Sequence, residues 1–373
     1  MSYPQIINDF LEMVTTPSHS RNERALSDLV RKKLLDLGCE VTEDDAGPKF
    51  GGNSGNLLAR FPGESSIEPI MFSAHLDRVN NPGRIAALVK TEEDRIVSDG
   101  TTILGADDAS GLAAIVDGLR RSKAGGARHG EVELVVTVGE EIGLQGSRHL
   151  DYAPLRSKMA YVLDSGGDVG TIVNRAPTQK TVTISVQGLS SHAGMAPEAG
   201  INAIRVAAAA MMKLPEGRLS PVTTSNFGVI EGGKATNIVC DFVKLKAEAR
   251  SHDAAELERY TDLLNRTFRE TAAEYKTTVE LDWVLEYEAF YVPEDERVVA
   301  LARRAFDGLG LETKIMSGGG GMDGNHFNKN GIKSVGLSTG YKHVHTQKEE
   351  QSISQLILCG EAVARIIEAA VSV

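Results

Sequence analysis

The sequence predicts an α/β protein: a large domain built on a mixed sheet covered by helices, with a smaller ferredoxin-like βαββαβ domain inserted into it. Two observations predict this class. Near both ends of the chain, apolar runs of strand length alternate with helices, which is typical of a sheet covered on both faces. Between them, about 110 residues follow the order strand, helix, strand, strand, helix, strand. We therefore expect residues 1–177 and 291–373 to form the large domain and residues 178–290 to form the inserted one.

The large domain is expected to begin with two helices within residues 3–38, because leucine and valine recur there at helical spacing. The period then changes to short apolar runs between glycine, proline and serine turns. The expected strands are 40–42, 56–60, 70–74, 131–137 and 159–163, with a helix at 112–121. The last segment is expected to add a helix at 296–309, a short strand near Lys314, a strand at 334–337 and a helix at 352–370.

The inserted domain has its own expected elements. Its strands are 181–187, 223–230, 238–249 and 278–285, and its helices are 201–214 and 254–275.

Composition and charge exclude several classes of protein. The 373 residues are 41% hydrophobic and 24% charged, which is ordinary for a globular protein of two domains. The net charge of −11, without a run of Lys and Arg, argues against a nucleic-acid partner. No apolar stretch approaches the length of a membrane span. The first residues lack the features of a secretory signal, and three distant cysteines suit a reducing compartment, so we expect a cytoplasmic protein.

Acidic residues and histidines follow the predicted strands of the large domain. His75 and Asp77 come directly after strand 70–74, at the edge where open α/β sheets place their sites. Asp107 and Asp108 lie in a glycine-flanked turn before a helix. An aspartate there is often only an N-cap, but two adjacent carboxylates repel each other, and a cation would relieve that repulsion.

The pattern recurs after the other strands. Glu140 and Glu141 lie between glycines, and Asp164 ends the following strand. One carboxylate of such a pair can bind a metal while its neighbour acts as a general base, although a solvated acidic turn is the alternative. His343 and His345 follow the last strand.

Together these positions supply two imidazoles and three carboxylates, a ligand set suited to two zinc-like ions with one bridging carboxylate. The five are His75, Asp108, Glu141, Asp164 and His345. Asp77 would then orient the ring of His75 from outside the ligand set.

These motifs resemble those of the M20 family of di-zinc metallopeptidases, and within it those of the peptidase T (tripeptide aminopeptidase) group. The resemblance covers nearly the whole chain. It rests, in order, on Ser-Ala-His75-Leu-Asp77, Gly-Ala-Asp107-Asp108-Ala-Ser-Gly, Gly-Glu140-Glu141-Ile-Gly, Leu-Asp164-Ser-Gly, Ser191-His192-Ala-Gly, and His345 with Glu349 four residues later.

The resemblance implies a site for two divalent metal ions, zinc or in its place cobalt or manganese. The implied ligands are His75 and Asp164 on one ion, Glu141 and His345 on the other, and Asp108 bridging both.

Three further details follow from the resemblance. In the family, the bridging aspartate lies three residues after one glycine and three before the next, which selects Asp108 rather than Asp107. A cis peptide bond follows that aspartate in the family and is expected here between Asp108 and Ala109. Glu140 is the implied general base.

The resemblance also implies residues that contact the substrate. His192 matches a histidine that contacts the substrate's carbonyl oxygen and is often supplied by a partner subunit, which fits an oxyanion donor. Asn237 and Arg250 resemble substrate-binding residues, and Arg250 can hold a carboxylate. The glycine run before Asp323 resembles a Gly-Gly-x-Asp-Gly loop whose amides approach the substrate, so Gly321 and Asp323 are further candidates.

The implied function is removal of the N-terminal residue of tripeptides by metal-assisted hydrolysis. The expected partners are a short peptide substrate and a second copy of the chain bound through the inserted domain, which would act as a lid. One alternative is an M20-type carboxypeptidase or N-acyl amino acid amidohydrolase, since these share the metal motifs. A catalytically silent peptide-binding protein is an alternative of another class, and the presence of Glu140 with all five ligands argues against it.

Overall fold

The computed structural model describes residues 3–79 and 83–371. It divides the chain into two compact units, with the divisions between Ala176 and Pro177 and between Ala289 and Phe290. We call the part formed by both ends of the chain the large unit and the part between the divisions the inserted unit.

Helices cover most of the apolar periodic segments predicted above. In chain order they are α1 (Gln5–Thr15), α2 (Arg24–Leu37), α3 (Ala106–Gly125), α4 (Gln145–His149), α5 (Ala203–Met211), α6 (Ala254–Glu274), α7 (Arg297–Gly308), α8 (Gly324–Lys329) and α9 (Ile353–Ala369). A short 3₁₀ turn, Glu140–Ile142, matters for the site described below. In the large unit, α3 packs against α1 and α9 and thus joins the two ends of the chain.

The strands are more numerous than the sequence predicts. In chain order they are β1 (Glu40–Glu43), β2 (Leu57–Phe61), β3 (Ile70–His75), β4 (Ala87–Lys90), β5 (Arg95–Ser98), β6 (Val132–Thr137), β7 (Met159–Ser165), β8 (Thr171–Ala176), β9 (Thr178–Gln187), β10 (Gly217–Ser220), β11 (Thr223–Gly232), β12 (Phe242–Ser251), β13 (Val279–Tyr287), β14 (Phe290–Tyr291), β15 (Lys314–Ser317), β16 (Lys333–Ser338), β17 (Tyr341–Lys342) and β18 (Glu350–Ser352).

The main sheet of the large unit confirms the predicted α/β class. Its strand order is β1-β2-β6-β3-β7-β16-β8-β14, with β15 beside β8. The central strands β6, β3, β7 and β16 are parallel, so their carboxyl ends lie at one edge of the sheet. Strands β3 and β6 are buried along their whole length, as expected for apolar runs covered on both faces. The antiparallel strands at its sides make the sheet mixed, as predicted.

A second sheet of the large unit, with the order β17-β18-β5-β4, is absent from the sequence prediction. Its strands are only two to four residues long. Its register joins distant parts of the chain, for example Glu350 with Val97. Such short, non-local pairings leave no periodicity within a local window of sequence, which explains why they were missed.

The inserted unit has the predicted strand and helix order, with the short strand β10 added. Its five strands form one antiparallel sheet in the order β10-β11-β12-β9-β13, and α5 and α6 pack against it. Strand β12 begins at Phe242 rather than at the predicted residue 238, because Ile238 pairs with His192 in an isolated bridge.

Two further findings concern membrane-spanning helices and the cysteines. Within the described residues, the structure contains no helix that is both long and apolar enough to cross a membrane. The three cysteines are buried and are not joined in disulfides.

Candidate active site

Six acidic and imidazole side chains meet at the carboxyl edge of the parallel strands in the large unit. They are His75, Asp107, Glu140, Glu141, Asp164 and His345, and we call them the metal cluster. Five of them end or follow one of the four central strands, and Asp107 stands at the start of α3. The parallel order of β6, β3, β7 and β16 therefore brings residues that are distant in sequence to one place.

His75 lies at the centre of the metal cluster. Its Nε2 is 2.9 Å from Asp107 Oδ1 and 3.7 Å from Asp164 Oδ1. Its Nδ1 is 2.9 Å from the backbone carbonyl oxygen of Asp77, which fixes Nδ1 as the protonated nitrogen and leaves the lone pair of Nε2 facing the carboxylates. Burial lowers the pKa of His75, but the carboxylates of Asp107 and Asp164 raise it well above its ordinary value.

The structure corrects the choice between the two adjacent aspartates. The carboxylate oxygens of Asp107 lie 2.9 Å from His75 Nε2 and 3.3 Å from His345 Nε2, so this side chain stands between the two imidazoles. Asp108, the predicted bridge, instead accepts the backbone N–H of His75 at 3.2 Å and of Gly111 at 3.0 Å. The two residues have different non-helical φ/ψ angles, −82°/105° and −118°/37°, and their side chains diverge.

The two aspartates differ in charge as well as in position. Although burial raises the pKa of Asp107, hydrogen bonds from His345 and His75 lower it well below its usual range. Burial and the charge of Asp164 raise the pKa of Asp108 well above its usual range. The cis peptide bond joins the two aspartates rather than following the second, so the predicted location was wrong by one residue.

The carboxylate of Asp77 also has a different partner from the one expected. It lies 3.6 Å from His75 Nδ1, beyond hydrogen-bond distance, and the ring is held by the backbone carbonyl instead. The carboxylate accepts the N–H of Glu140 at 2.8 Å, the N–H of Glu141 at 3.2 Å and the hydroxyl of Ser20 at 2.6 Å. The fully buried Asp77 therefore fixes the turn that carries the two glutamates.

The two glutamates of this turn point to different members of the metal cluster. Glu141 Oε1 is 2.9 Å from His345 Nε2, whereas a carboxylate oxygen of Glu140 groups with His75 and Asp164. Burial and the charge of Asp164 raise the pKa of Glu140 well above its ordinary value. Hydrogen bonds with Asp107 and Glu141 raise the pKa of His345 to about 10.

Two residues outside the metal cluster support its members. The buried carboxylate of Glu349 accepts the N–H of Gly105 at 2.8 Å and of Asp107 at 3.2 Å, and so shapes the loop before α3. The hydroxyl of Tyr341 donates to Asp164 at 3.1 Å. Burial and the charge of Asp107 raise the pKa of Asp164 to about 7. Sequence reasoning missed Tyr341, because a tyrosine near a strand end has no distinguishing spacing.

The donor set fits divalent metal ions. Ligand atoms of His75, Asp107 and Glu141 all lie within 4.8 Å of one another, and so do those of His75, Glu140 and Asp164. Ligands about 2.0–2.2 Å from one ion lie at most about 4.4 Å apart, so small side-chain adjustments would complete coordination. Imidazole and carboxylate donors without a thiolate suit zinc and similar ions. Bound cations would also relieve the mutual repulsion of the buried carboxylates.

The structure corrects the role expected for Asp323. This side chain is buried, and its two carboxylate oxygens accept the hydroxyls of Thr137 and Ser147, each at 2.5 Å. Burial raises its pKa. Asp323 therefore fastens the glycine-rich loop to β6 and α4 and does not present its carboxylate to a ligand, whereas Gly321 is partly exposed in that loop.

His192 lies in a turn of the inserted unit, with its side chain exposed. Its Nδ1 accepts the N–H of Gly194 at 3.2 Å and of Met195 at 3.1 Å. A neutral imidazole whose Nδ1 accepts carries its proton on Nε2, so this ring presents an N–H donor. The backbone carbonyl of Asn237, whose side chain is also exposed, accepts the N–H of Ala193 at 3.0 Å and lies beside this turn.

Arg250 already has a carboxylate partner in the inserted unit. Its guanidinium makes two hydrogen bonds, at 2.9 Å and 3.1 Å, with the carboxylate of Glu248. Glu248 is also bound by the side-chain amide of Gln179 at 2.8 Å. The two-pronged contact predicted for a substrate carboxylate is thus made within the chain, between two residues of β12.

Two family models match the chain. The model described as a peptidase dimerisation domain matches residues 178–276, which lie within the inserted unit. The model of peptidase family M28 matches residues 56–184, a range that contains every member of the metal cluster except His345.

Solved structures and a sequence relative are similar over the whole length. An aminopeptidase PepT of Bacillus cereus is 39% identical over 98% of both chains, with a TM-score of 0.87. A tripeptidase of Staphylococcus aureus is 36% identical over 98% of both chains, with a TM-score of 0.92. The protein YqjE of Bacillus subtilis is 37% identical over 98% of each chain. The similarity therefore covers both units.

Proposed function

Because the chain belongs to the M20 family of metallopeptidases, and is a metal-dependent exopeptidase, we propose that it removes the N-terminal residue of tripeptides. The similarity to an aminopeptidase and a tripeptidase over the whole chain supports this substrate class. The observation that carries the proposal is the metal cluster, in which the Asp107 carboxylate stands between the imidazoles of His75 and His345. Such a centre suits amide hydrolysis by an activated water.

We assign two divalent metal ions, zinc in the first instance, to the metal cluster. His75 and Asp164 would hold one ion, Glu141 and His345 the other, and Asp107 would bridge them. When bound, such ions lower the pKa of a water molecule and polarise the carbonyl of the scissile bond.

Glu140 is the proposed general base. It shares the turn of the ligand Glu141 but groups with His75 and Asp164, so its carboxylate lies beside the ligands. The raised pKa of Glu140 suits a group that takes a proton from the attacking water and returns it to the leaving amine.

His192 is the proposed donor to the oxyanion, because its exposed ring carries a proton on Nε2. Asn237 lies beside it and is proposed to bind the substrate. Arg250 is proposed to bind the carboxylate of the peptide in place of the carboxylate of Glu248. The backbone amides of the loop at Gly321 are the last of the proposed substrate contacts.

A homodimer formed through the inserted unit is part of the proposal. The match to a peptidase dimerisation domain supports it. Among the residues that the structure describes, strand β10 pairs with the first three residues of β11, and the later residues Val229 and Ile230 are 41% and 56% exposed. A second β11 strand could pair along this edge and cover these side chains. The buried, unpaired cysteines support a reducing compartment, and we propose a cytoplasmic location.

Product analysis by mass spectrometry tests the proposed reaction. The zinc- or cobalt-loaded protein is incubated with Ala-Ala-Ala, Ala-Ala and N-acetyl-Ala, with and without a chelator. We expect alanine and dialanine from the tripeptide only, and isotope labelling of the first residue should place the label in free alanine. Label in the dipeptide would identify a carboxypeptidase, acetate release would identify an amidohydrolase, and no product would favour a silent binding protein.

A further inference from the structure

Four consecutive backbone N–H groups after β6 are bound by side chains from three remote segments. The segments precede α2, precede β2 and follow β3. We call the side chains of Glu23, Asn56 and Asp77 the amide clamp. The bonds are Val138 N–H to Asn56 Oδ1 at 3.1 Å, Gly139 N–H to Glu23 Oε1 at 3.2 Å, Glu140 N–H to Asp77 Oδ1 at 2.8 Å and Glu141 N–H to Asp77 Oδ2 at 3.2 Å.

The turn needs these acceptors because it cannot supply its own. The first N–H groups of a helical turn have no acceptor within that turn. Here the turn Glu140–Ile142 is preceded by Gly139, at φ +62°, which has no side chain to cap it. Buried N–H groups without a partner are costly, so acceptors must come from elsewhere in the fold. The amide clamp provides them in place of a local cap.

The three side chains of the amide clamp are fully buried. Asn56 makes hydrogen bonds through both the nitrogen and the oxygen of its side-chain amide. Its amide donates to Asp44 Oδ2 at 2.7 Å and to the carbonyl of Gly146 at 3.0 Å, while its oxygen accepts from Val138. The turn is therefore held from the side of β2 as well as from β3, where Asp77 lies. Glu23 holds it from a third direction, the start of α2.

Glu23 uses one carboxylate oxygen for this purpose. Its Oε1 accepts the N–H of Arg21 at 2.8 Å as well as that of Gly139, while its buried Oε2 has no hydrogen-bond partner in the described residues. The turn therefore uses only one oxygen atom of Glu23, which accepts the N–H of Gly139. An amide oxygen can take that place as well as a carboxylate oxygen can.

We propose that Glu23 is a positioning residue for catalysis: as part of the amide clamp, it holds the turn that places Glu140 and Glu141, and it does so by geometry rather than by charge. Its bond to Gly139 lies one residue before Glu140. Loss of that bond should leave an N–H group unpaired and let the turn shift. Because a displacement of about 1 Å can reduce a catalytic rate about 100-fold, kcat should fall more than KM changes.

The test compares substitutions at Glu23 with a matched control at Glu133. Glu133 lies in β6, is equally buried, and also accepts two backbone N–H groups, those of Arg156 at 3.0 Å and Ser157 at 2.8 Å. E133A therefore removes the same kind of interaction without touching the turn. The variants E23A, E23D, E23Q and E133A are measured for kcat and KM on Ala-Ala-Ala, for bound zinc, for thermal unfolding, and for amide exchange in peptides covering residues 136–144.

The proposal predicts the order E23Q, E23D, E23A from most to least active. E23Q should keep kcat within about threefold of the original enzyme, and E23A should lose about tenfold or more with KM little changed. E23D should fall between them, because the shorter side chain keeps the charge but withdraws the acceptor from Gly139. Amide exchange in 136–144 should be faster in E23A and E23D than in E23Q. E133A should lower thermal stability as E23A does but leave kcat within about twofold.

Three results would overturn the proposal: kcat of E23A close to that of the original enzyme, an equal loss in E133A, or E23D more active than E23Q. If E23A does not fold, the comparison of E23D with E23Q decides. The measurements of kcat and KM rest on the proposed function, but the measurement of amide exchange does not. If the wild-type protein is inactive, the proposed function is refuted. Amide exchange in residues 136–144 would still show whether Glu23 holds the turn.

Discussion

Replacing Asp107 with asparagine should release metal from the site, whereas the same replacement at Asp108 should not. The two residues are adjacent, carry the same side chain and are both buried, so each is the best available control for the other. They differ in what the carboxylates contact. Asp107 faces two imidazoles, at 2.9 Å and 3.3 Å, and Asp108 faces two backbone N–H groups, at 3.2 Å and 3.0 Å.

The expected loss at Asp107 follows from its position between the two histidines. Asparagine is neutral and has one oxygen, so it cannot provide an anionic oxygen to each of two ions. Loss of a group that only supports a ligand costs about 10–100-fold in metal affinity, so loss of a bridging ligand should cost at least about 100-fold. That factor corresponds to about 2.7 kcal/mol of binding free energy. Turnover should fall by at least as much.

The expected loss at Asp108 concerns stability instead. Asparagine keeps an oxygen for one of the two N–H groups of His75 and Gly111 and turns its NH₂ toward the other. One buried N–H group is then unpaired, which should lower the free energy of unfolding by about 1–3 kcal/mol. Zinc content should stay near that of the original enzyme.

Zinc stoichiometry after dialysis and zinc affinity by isothermal titration calorimetry measure the difference directly, with denaturant unfolding as the stability readout. D107N should bind zinc weakly while remaining folded, and D108N should bind zinc normally with reduced stability. The reverse pattern, in which D108N loses zinc and D107N keeps it, would refute the assignment of Asp107 as the bridge.

Three further predictions concern Glu140, His192 and Glu23. E140Q should lower kcat by about 100-fold or more without loss of zinc, because only the proton acceptor is removed, and unchanged turnover would contradict the role of Glu140. H192A should lower kcat by about 100–1,000-fold with little change in zinc content, and a change in KM alone would contradict an oxyanion donor. Burial and the charge of Asp77 raise the pKa of Glu23 from 4.5 to about 7, so the folded state favours the protonated form. The free energy of unfolding of the metal-free protein should therefore decrease as the pH rises from about 4.5 to about 7, by at most about 3 kcal/mol. Denaturant unfolding at several pH values should show that E23Q lacks this decrease in the free energy of unfolding. Parallel pH profiles of the two proteins would contradict the raised pKa of Glu23.

Much of the fold could be predicted from the sequence because it depends on local patterns. Apolar runs such as Ile70–His75 and Val132–Thr137 predict buried strands, and the amphipathic segment of α2 predicts a surface helix. The sheet of β4, β5, β17 and β18 could not be predicted, since its short strands pair across distant parts of the chain.

The sequence by itself also determined which residue types gather at the metal cluster, because acids and histidines follow strands whose carboxyl ends share one edge. Only the tertiary structure decided which of Asp107 and Asp108 faces the two histidines and which residues support the metal cluster. Asp107 and Asp108 are neighbours in a turn, and their φ/ψ angles send the two carboxylates in different directions. Glu23 and Asn56 hold the Glu140–Glu141 turn through backbone N–H groups. Every residue except proline offers such a group, so contacts to it leave no signature in the sequence of the turn and arise only when the chain is folded.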